Sequence, residues 1–350
     1  MSIAHGILIF MTRSTSGKPL RFVTSVYGKK YAGMLLTLLY SIHVSNPDAK
    51  VTIFWQDVSK HIRRLKEAFP NFEFIDTEYL VQGDIIDRIS HKMLLWSQAA
   101  SRHPNENLVF CDVDMLVRKD IGHFFNEGFD IAFTFKDELY PLNTGTFLAG
   151  ASDATGSFFE EWHERTREIV GNNELKRIAS SREYPYGGPD QMALYQLVNF
   201  ERGKRHYEIV LRGHVFVGKA FPCTALNETN SRPVTDEMHI IHYKGGWHSI
   251  LLEGAGFTSR RPKEQSWDMY LLYLRTYTEA VRYVGECLHR ATSLDAYGIH
   301  IPFYLNKRFE ESPALYKLFV IKEKILMPLR AWGERISRFA SSRLSRRNTL

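Results

Sequence analysis

The 350-residue chain has few cysteines, no long apolar run and little net charge outside its C-terminal end. Three widely spaced cysteines exclude a disulfide framework and a four-cysteine metal site, and they favour a reducing compartment. The apolar residues 7–11 follow no basic leader and are too short for a signal peptide or a membrane span, so we expect an extra strand there. With 44% apolar residues, the chain predicts a folded protein with a large core.

The positive charge of the chain is concentrated at its C-terminal end. The formal net charge is +6, and residues 317–350 contain nine Lys or Arg and two Glu, so the remainder is close to neutral. After Ser312-Pro313, apolar residues recur every three or four positions, which predicts a basic amphipathic helix and tail over 312–350. Such a helix either packs on the domain or binds an anionic membrane surface. We expect a cytoplasmic protein that can associate with the inner membrane face, and no nucleic-acid partner, since no motif for one is present.

Strand-sized and helix-sized segments alternate before the middle of the chain. The pattern predicts strands at 21–27, 51–55, 72–75 and 108–111, separated by helices at 30–43, 58–68 and 85–101. Such alternation indicates an α/β fold with a mostly parallel central sheet built from right-handed crossovers.

Two aspartates follow the fourth predicted strand. Asp112-Val113-Asp114 begins directly after the apolar run 108–111, at the carboxyl end of a strand, where open α/β sheets bind their ligands. Carboxylate oxygens at this place predict a site for a divalent cation. The pattern Asp-x-Asp alone is weak, because one example is expected by chance in roughly every chain of this size.

Three further groups of polar residues follow. Asn143-Thr144-Gly145 suits hydrogen bonding to a polyhydroxylated ligand, and Asp190-Gln191 begins an apolar helix after two glycines. His242 ends a short apolar strand before Tyr243-Lys244-Gly245. Each group also has an ordinary structural explanation: a turn, a helix cap and a structural histidine. His239 and His242 point to opposite faces of a strand, so only one reaches a common site, and we favour His242.

The order Asp-x-Asp, Asn-Thr-Gly, Asp-Gln and His-Tyr-x-Gly resembles the nucleotide-sugar glycosyltransferases of the GT-A fold. The resemblance covers about residues 20–250 and is nearest to glycosyltransferase family 8, with glycogenin and the bacterial lipopolysaccharide galactosyltransferases. It implies a Rossmann-like GT-A sheet flanked by helices with a C-terminal helical appendage. We therefore expect a catalytic domain at 1–255, a helical extension at 256–311 and the basic helix and tail at 312–350.

The resemblance also implies roles for individual residues. Asp112, Asp114 and His242 would hold Mn²⁺ or Mg²⁺ on the donor diphosphate, and Asp190 and Gln191 would be catalytic beside the anomeric carbon. Contacts to the nucleotide-diphosphate sugar are implied for Thr24, Ser25, Tyr27, Lys92, Asp112, Val113, Asp114, Asn143, Thr144, Lys244 and Gly245. The expected reaction moves a hexose to a hydroxyl of a glycan or glycolipid with retention of configuration, as in polysaccharide biosynthesis.

The chain departs from the family pattern in two places. No lysine follows Gly245 at the usual spacing, and Lys244, Arg260 or Arg261 can substitute for it. The acidic residues that bind the base in this family are absent after the first strand, which leaves the identity of the base open. A haloacid-dehalogenase-type phosphatase also uses Asp-x-Asp, but it favours Thr or Val where Leu116 stands. A membrane-associated scaffold with a non-catalytic transferase fold is a second alternative.

Overall fold

The computed structural model of the chain describes residues 17–56, 60–77, 85–229, 233–253, 267–289, 297 and 299. The predicted strand at 7–11 and the predicted tail at 312–350 lie outside the described residues. The chain divides into two compact units, one of residues 1–244 and 266–298 and one of residues 245–265 and 299–350. The first unit contains every strand described below.

The described residues form ten strands and nine α-helices. The strands are β1 (Leu20–Tyr27), β2 (Lys50–Gln56), β3 (Glu73–Asp76), β4 (Asn107–Cys111), β5 (Met115–Val117), β6 (Ile131–Phe135), β7 (Leu142–Ala149), β8 (His206–Leu211), β9 (His214–Pro222) and β10 (Ile240–His242). The helices are α1 (Ala32–Ser45), α2 (Lys60–Ala68), α3 (Ile85–Arg102), α4 (Thr155–Gly171), α5 (Asn173–Ser180), α6 (Pro189–Leu197), α7 (Cys223–Leu226), α8 (Gly246–Glu253) and α9 (Trp267–Cys287). The four strands and three helices predicted up to residue 111 are confirmed within a few residues.

Eight strands form one mixed sheet in the order β3-β2-β1-β4-β7-β6-β9-β8. The pairs β1–β2, β2–β3, β1–β4 and β6–β9 are parallel, and the other three pairs are antiparallel. This mostly parallel sheet between helices confirms the predicted fold class. Because β7 runs antiparallel to β4, the beginning of β7 lies at the same edge of the sheet as the carboxyl end of β4. Residues 142–145 are therefore close to Asp112.

Helices cover both faces of the sheet. Strands β2 and β3 lie on one side of β1 in the sheet, and β4 lies on its other side. Because the crossover connections are right-handed, the reversal places α3 on the face of the sheet opposite α1. On the α3 face, Trp96, Phe110 and Trp162 are fully buried in one aromatic cluster. Each such side chain stabilises the fold by about 1.5–3 kcal/mol through burial alone. This core holds the strand ends that present the aspartates.

A small second sheet connects the aspartates to a later part of the chain. β5 follows Asp114 and pairs antiparallel with β10, with Met115 opposite His242. Tyr243, directly after β10, is fully buried and donates a hydrogen bond to the Met269 carbonyl in α9 at 2.8 Å. Helix α9 therefore belongs to the first unit, whereas the predicted boundary between residues 255 and 256 stays a prediction.

None of the helices in the described ranges is both long enough and apolar enough to cross a membrane.

Candidate active site

Asp112 and Asp114 lie in the short connection between β4 and β5, at the carboxyl edge of the sheet. The backbone N–H of Asp112 donates to the Gly145 carbonyl of β7 at 2.9 Å, which holds this connection against the beginning of β7. Asp114 is only 6% exposed, whereas the side chain of Asp112 is 28% exposed. One carboxylate is thus packed in the protein, and the other faces the crevice.

His242 meets both aspartates because β10 pairs with β5. His242 Nε2 lies 3.1 Å from Asp114 Oδ1 and 3.8 Å from Asp112 Oδ2. The three side chains offer ligand atoms that all lie within 4.8 Å of one another, and no other group of this kind occurs in the described ranges. His239 points away, and its Nδ1 lies 3.2 Å from the Asp120 carbonyl. The structure therefore brings together the three residues that the sequence predicted as metal ligands.

Asn227 orients the His242 ring. Its Oδ1 lies 2.9 Å from His242 Nδ1, and its Nδ2 donates to Thr134 Oγ1 at 2.8 Å and to the Asn143 carbonyl at 3.2 Å. Thr134 Oγ1 donates its own proton to that carbonyl, so both groups can only accept from Asn227. The NH₂ group of Asn227 must face them, and Oδ1 must accept a hydrogen bond from the Nδ1–H group of His242. In a neutral ring, Nε2 is then the nitrogen without a proton, and it faces the aspartates.

The contact between His242 Nε2 and Asp114 in this tautomer indicates whether the site fits a cation. An unprotonated Nε2 at 3.1 Å from an Asp114 oxygen places two lone pairs against each other. The contact becomes favourable when a cation or a second ring proton lies between the two atoms. Two carboxylates and one imidazole suit Mn²⁺ or Mg²⁺ and leave several coordination positions for phosphate oxygens. The two carboxylates and the imidazole therefore fit a divalent ion, and the Asn227 amide is the hydrogen-bond partner that orients the histidine.

Sequence reasoning missed Asn227. The one feature of it that the sequence displays is the match of Asn227-Glu228-Thr229 to a glycosylation acceptor. Asn227 is fully buried, so it cannot serve as such an acceptor.

Gly145 leaves the space that the His242 ring occupies. A Cβ atom at Gly145 would lie 2.5 Å from His242 Cε1, 2.6 Å from His242 Nδ1 and 2.6 Å from Met115 Cε. The backbone of Gly145 is not in the left-handed region, so glycine is required here by the close approach of the ring.

Lys92 adds a positive charge beside the aspartates. Its Nζ lies 3.0 Å from Asp112 Oδ1 and 3.3 Å from the Thr144 carbonyl. Burial acts to lower the pKa of Lys92, but the nearby charges of Asp112, Asp190 and Asp114 outweigh it and raise this pKa. The ammonium group is therefore fixed in its charged form where a phosphate would meet the protein.

Asp190 and Gln191 begin helix α6 at the same crevice. Asp190 is 4% exposed, and its Oδ2 accepts a hydrogen bond from Thr144 Oγ1 at 2.5 Å. The backbone carbonyl of Asp190 also accepts a hydrogen bond from Trp162 Nε1 at 2.9 Å. Gln191 is partly exposed, and its Nε2 donates to the Gly187 carbonyl at 3.4 Å. Asp190 is thus held by two short hydrogen bonds, whereas the Gln191 amide has one longer contact and is partly exposed.

Asn143 offers an unused donor in this region. Its Oδ1 accepts from the Gly145 N–H at 3.1 Å, and the residue is 3% exposed. Its Nδ2 has no hydrogen-bond partner within the part of the chain that the structure describes. Buried donors are nearly always paired in native proteins, so this group fits a contact to a ligand oxygen.

The other predicted donor contacts are spread around this centre. Thr24 is fully buried, whereas Ser25 and Tyr27 are partly exposed on the opposite face of β1. Val113, between the two aspartates, is partly exposed. Their contacts to a nucleotide stay predictions.

Lys244 and Gly245 follow β10. Burial and the charge of Lys136 lower the pKa of Lys244, while Asp112 and Asp114 act against this shift. Gly245 has a φ of 62°, a left-handed conformation that favours glycine, and it lies in the second compact unit. The roles predicted for these two residues also stay predictions.

Comparison with known proteins agrees with this geometry. Residues 105–246 match the family described as nucleotide-diphospho-sugar transferase, and this segment contains the three predicted metal ligands, Asp190 and Gln191. The chain resembles the GT-A nucleotide-sugar glycosyltransferases. The match and the fold support a glycosyltransferase, as the resemblance of the motifs to family 8 predicted. No curated protein matches the sequence.

Solved structures similar to this glycosyltransferase-like chain include the glycosyltransferase GlyE of Streptococcus pneumoniae TIGR4, with a TM-score of 0.51 and 11% identity. The alignment covers 78% of this chain and 64% of GlyE. WbbM, a bifunctional glycosyltransferase, has a TM-score of 0.48 at 12% identity, over 81% of this chain and 53% of its own. LgtC has a TM-score of 0.44 at 13% identity, over 81% of this chain and 98% of its own. The chain thus spans less than two thirds of GlyE and WbbM, and at such identities the likeness to GlyE shows the fold alone.

Proposed function

We propose that the protein is a metal-dependent glycosyltransferase that moves a hexose from a nucleotide-diphosphate sugar to a hydroxyl group of a glycan or glycolipid. The observation that carries this proposal is the meeting of Asp112, Asp114 and His242, with Asn227 fixing Nε2 of the histidine toward the carboxylates. A Mn²⁺ or Mg²⁺ ion held by these residues would neutralise the charge that develops on the leaving diphosphate.

The residues around the aspartates have tasks that follow from their contacts. Lys92 is held charged next to Asp112, so it adds a second positive charge for the phosphate oxygens. Asn143 points an unused donor into the same region, and Thr144 binds Asp190. We assign donor-sugar contacts to Asn143 and Thr144, and base and ribose contacts to the partly exposed Ser25 and Tyr27.

In the proposed transfer, the acceptor oxygen forms a bond to the anomeric carbon on the face that the diphosphate leaves. The bond between that carbon and the phosphate oxygen breaks, its electron pair stays on the diphosphate, and a diphosphate oxygen takes the acceptor proton. Gln191 stabilises the cation-like sugar, and Asp190 orients the donor hydroxyls. A double displacement with Asp190 as the nucleophile is less favoured, because Thr144 already occupies one of its oxygens at 2.5 Å. Retention of configuration is part of the proposal and follows from the family resemblance.

Two alternatives find less support. A phosphatase of the haloacid-dehalogenase type has no use for a histidine between its two aspartates, whereas His242 is packed against both. A non-catalytic scaffold gives no reason for three side chains with metal-ligand atoms to meet or for a charged lysine to be held against Asp112.

A donor panel tests the proposal. Purified protein is incubated with UDP-, GDP-, ADP- and CDP-sugars and with a simple phosphate ester, each with Mn²⁺ and with a chelator. We expect turnover of at least one sugar nucleotide only with the metal, and its loss in Asp112→Asn and Asp114→Asn. Asp153→Asn, at an exposed position, is the matched control and should retain full activity. Turnover of the phosphate ester would favour the phosphatase, and full activity of Asp114→Asn would refute the metal assignment.

We also propose that residues 312–350 bind an anionic membrane surface, so that a cytoplasmic protein associates with the membrane. The support is the basic amphipathic pattern of this segment in the sequence. The full chain should co-sediment with vesicles of phosphatidylglycerol and phosphatidylcholine, and a chain that ends at Glu311 should not. Equal co-sedimentation of both proteins would contradict this proposal.

A further inference from the structure

A cavity of about 240 Å³ opens beside the candidate active site in the first unit. Its wall includes the residues that follow β6, the beginning of α7 and the segment after α7. The side chains that matter below are those of Lys136, Glu138, Arg205, Thr224 and Glu228.

The cavity and the metal-ligand group are built from the same segments. Glu228 lies on the cavity wall, directly after Asn227, and its carbonyl accepts the backbone N–H of His242 at 2.9 Å. Its own N–H donates to the Ile240 carbonyl at 3.1 Å. Thr134, which binds the Asn227 amide, lies one residue before the cavity-lining Phe135. The cavity is therefore attached rigidly to the frame that orients His242.

The order of the strands places this cavity on one particular side of the metal ligands. At the crevice edge, the order is β2, β1, β4, β7, β6 and β9. The aspartates follow β4, Asn143 and Thr144 begin β7, and the cavity lies at the ends of β6 and β9. Neighbouring strands are about 4.8 Å apart, so a ligand that extends along this edge passes one further strand every 4.8 Å or so. A nucleotide over β1 and β2 with its diphosphate at β4 therefore points its sugar toward β7 and the cavity.

The charged residues of the cavity wall are two basic ones, Lys136 and Arg205, and three acidic ones, Asp137, Glu138 and Glu228. Lys136 forms an ion pair with Glu138, and the Arg205 guanidinium stacks on the Phe135 ring at 3.8 Å from its centre. Glu228 also lines the wall and is only 2% exposed, so it contributes a buried acidic residue. Cationic donors and anionic acceptors side by side suit hydroxyl groups, which donate and accept at once. A wall without an excess of positive charge does not favour a phosphorylated ligand.

We propose that this cavity binds the acceptor of the transferase as a neutral saccharide, and that the Glu228 carboxylate accepts a hydrogen bond from one of its hydroxyl groups. The inference rests on the proposed function and identifies the acceptor subsite and its chemical class. The attacking hydroxyl of the same saccharide loses its proton to the departing diphosphate, as above, so Glu228 positions the acceptor and takes no proton. Thr224 borders the space that the saccharide ring fills.

Two rates separate acceptor binding from donor chemistry. With the best sugar nucleotide from the donor panel, hydrolysis by water is measured without an acceptor, and transfer is measured with methyl glucoside, methyl galactoside, lactose and glucose 6-phosphate. Thr224→Phe fills the cavity, and Glu228→Gln keeps the shape of the side chain but removes its charge. Val215→Phe, at a position that is 60% exposed and outside the cavity wall, is the size-matched control.

The wild type should transfer to at least one neutral saccharide and not to glucose 6-phosphate. Both cavity variants should raise the acceptor KM by about tenfold or more. Thr224→Phe fills the space of the saccharide ring, and Glu228→Gln replaces a hydrogen bond to a charged group by a weaker one to a neutral group. Donor hydrolysis should change much less than transfer, and Val215→Phe should change neither rate. Equal losses of hydrolysis and transfer in the two cavity variants, or transfer by the wild type only to the phosphorylated sugar or to none, would overturn the inference. A wild type without any sugar-nucleotide turnover would instead refute the proposed function itself.

Discussion

Gly145→Ala is the smallest change that should disable the metal site without touching a ligand. The added Cβ would lie 2.5 Å from His242 Cε1, about 1 Å closer than carbon atoms approach in ordinary contact. Met115 Cε lies at 2.6 Å from the same position, so the methyl group cannot avoid the ring by moving toward β5. The ring must therefore shift by about 1 Å, whereas metal–ligand distances tolerate only about 0.2 Å.

The expected effects can be separated. Crowding of a packed site should lower the free energy of unfolding by about 1–3 kcal/mol. A displaced His242 ring should weaken Mn²⁺ binding by at least about 10–100-fold, which is the loss typical of changes to the hydrogen-bond partners of metal ligands. Isothermal titration with Mn²⁺ measures the affinity, and urea unfolding measures the stability.

Gly171→Ala is the matched control for this change. A Cβ at Gly171, the last residue of α4, would meet no atom within 4 Å. The alanine there should leave Mn²⁺ affinity unchanged and stability equal or slightly raised. Wild-type Mn²⁺ affinity in a folded Gly145→Ala protein would refute the assignment of His242 as a metal ligand.

Three further predictions concern single side chains. Asn227→Asp removes two donated hydrogen bonds and sets a carboxylate against the Asn143 carbonyl, which it repels. The melting temperature of this variant should be several degrees lower than that of the wild type, and that of Asn227→Ala should decrease less. Gln191→Ala should lower kcat roughly 10²-fold with unchanged Mn²⁺ affinity, and a larger loss of affinity than of kcat would contradict its role. Partial burial acts to raise the pKa of Glu106, but hydrogen bonds from Arg21 and Lys50 outweigh it and lower this pKa. The stability that Glu106 contributes is therefore present above the ordinary pKa of a glutamate and is lost as the pH falls through the lowered pKa. In Glu106→Gln, the free energy of unfolding at neutral pH should be lower and should depend less steeply on pH in the acid range.

The part of the fold that the sequence predicts well is the part that depends on local pattern. The strand at 108–111 is a continuous apolar run, and the strand at 51–55 is apolar except for the buried Thr52, because both faces of a central strand are buried. Helices alternate with these strands in the first half of the chain, so the order of the elements also predicts that the strands run parallel. For the same reason the position of Asp112 at a crevice was predictable.

The partners of the site depend on contacts between distant segments, which local pattern does not contain. The approach of His242 to Asp114 requires the antiparallel register of β10 on β5; strand alternation favours His242 over His239, but only the family resemblance pairs it with the aspartates. The role of Asn227 is set by three contacts to residues far away in the chain, and its own neighbours in the sequence show nothing unusual. The cavity beside Glu228 arises where β6, β9 and α7 meet, so no single segment predicts it.

The central claim is that a divalent ion at Asp112, Asp114 and His242 holds the diphosphate of the donor. The most direct test is isothermal titration of the protein with the nucleoside diphosphate of its best donor, with and without Mn²⁺. We predict that Mn²⁺ tightens nucleotide binding in the wild type and that this effect disappears in Asp114→Asn. Equal nucleotide affinity with and without Mn²⁺ in the wild type, or an unchanged metal effect in Asp114→Asn, would contradict it.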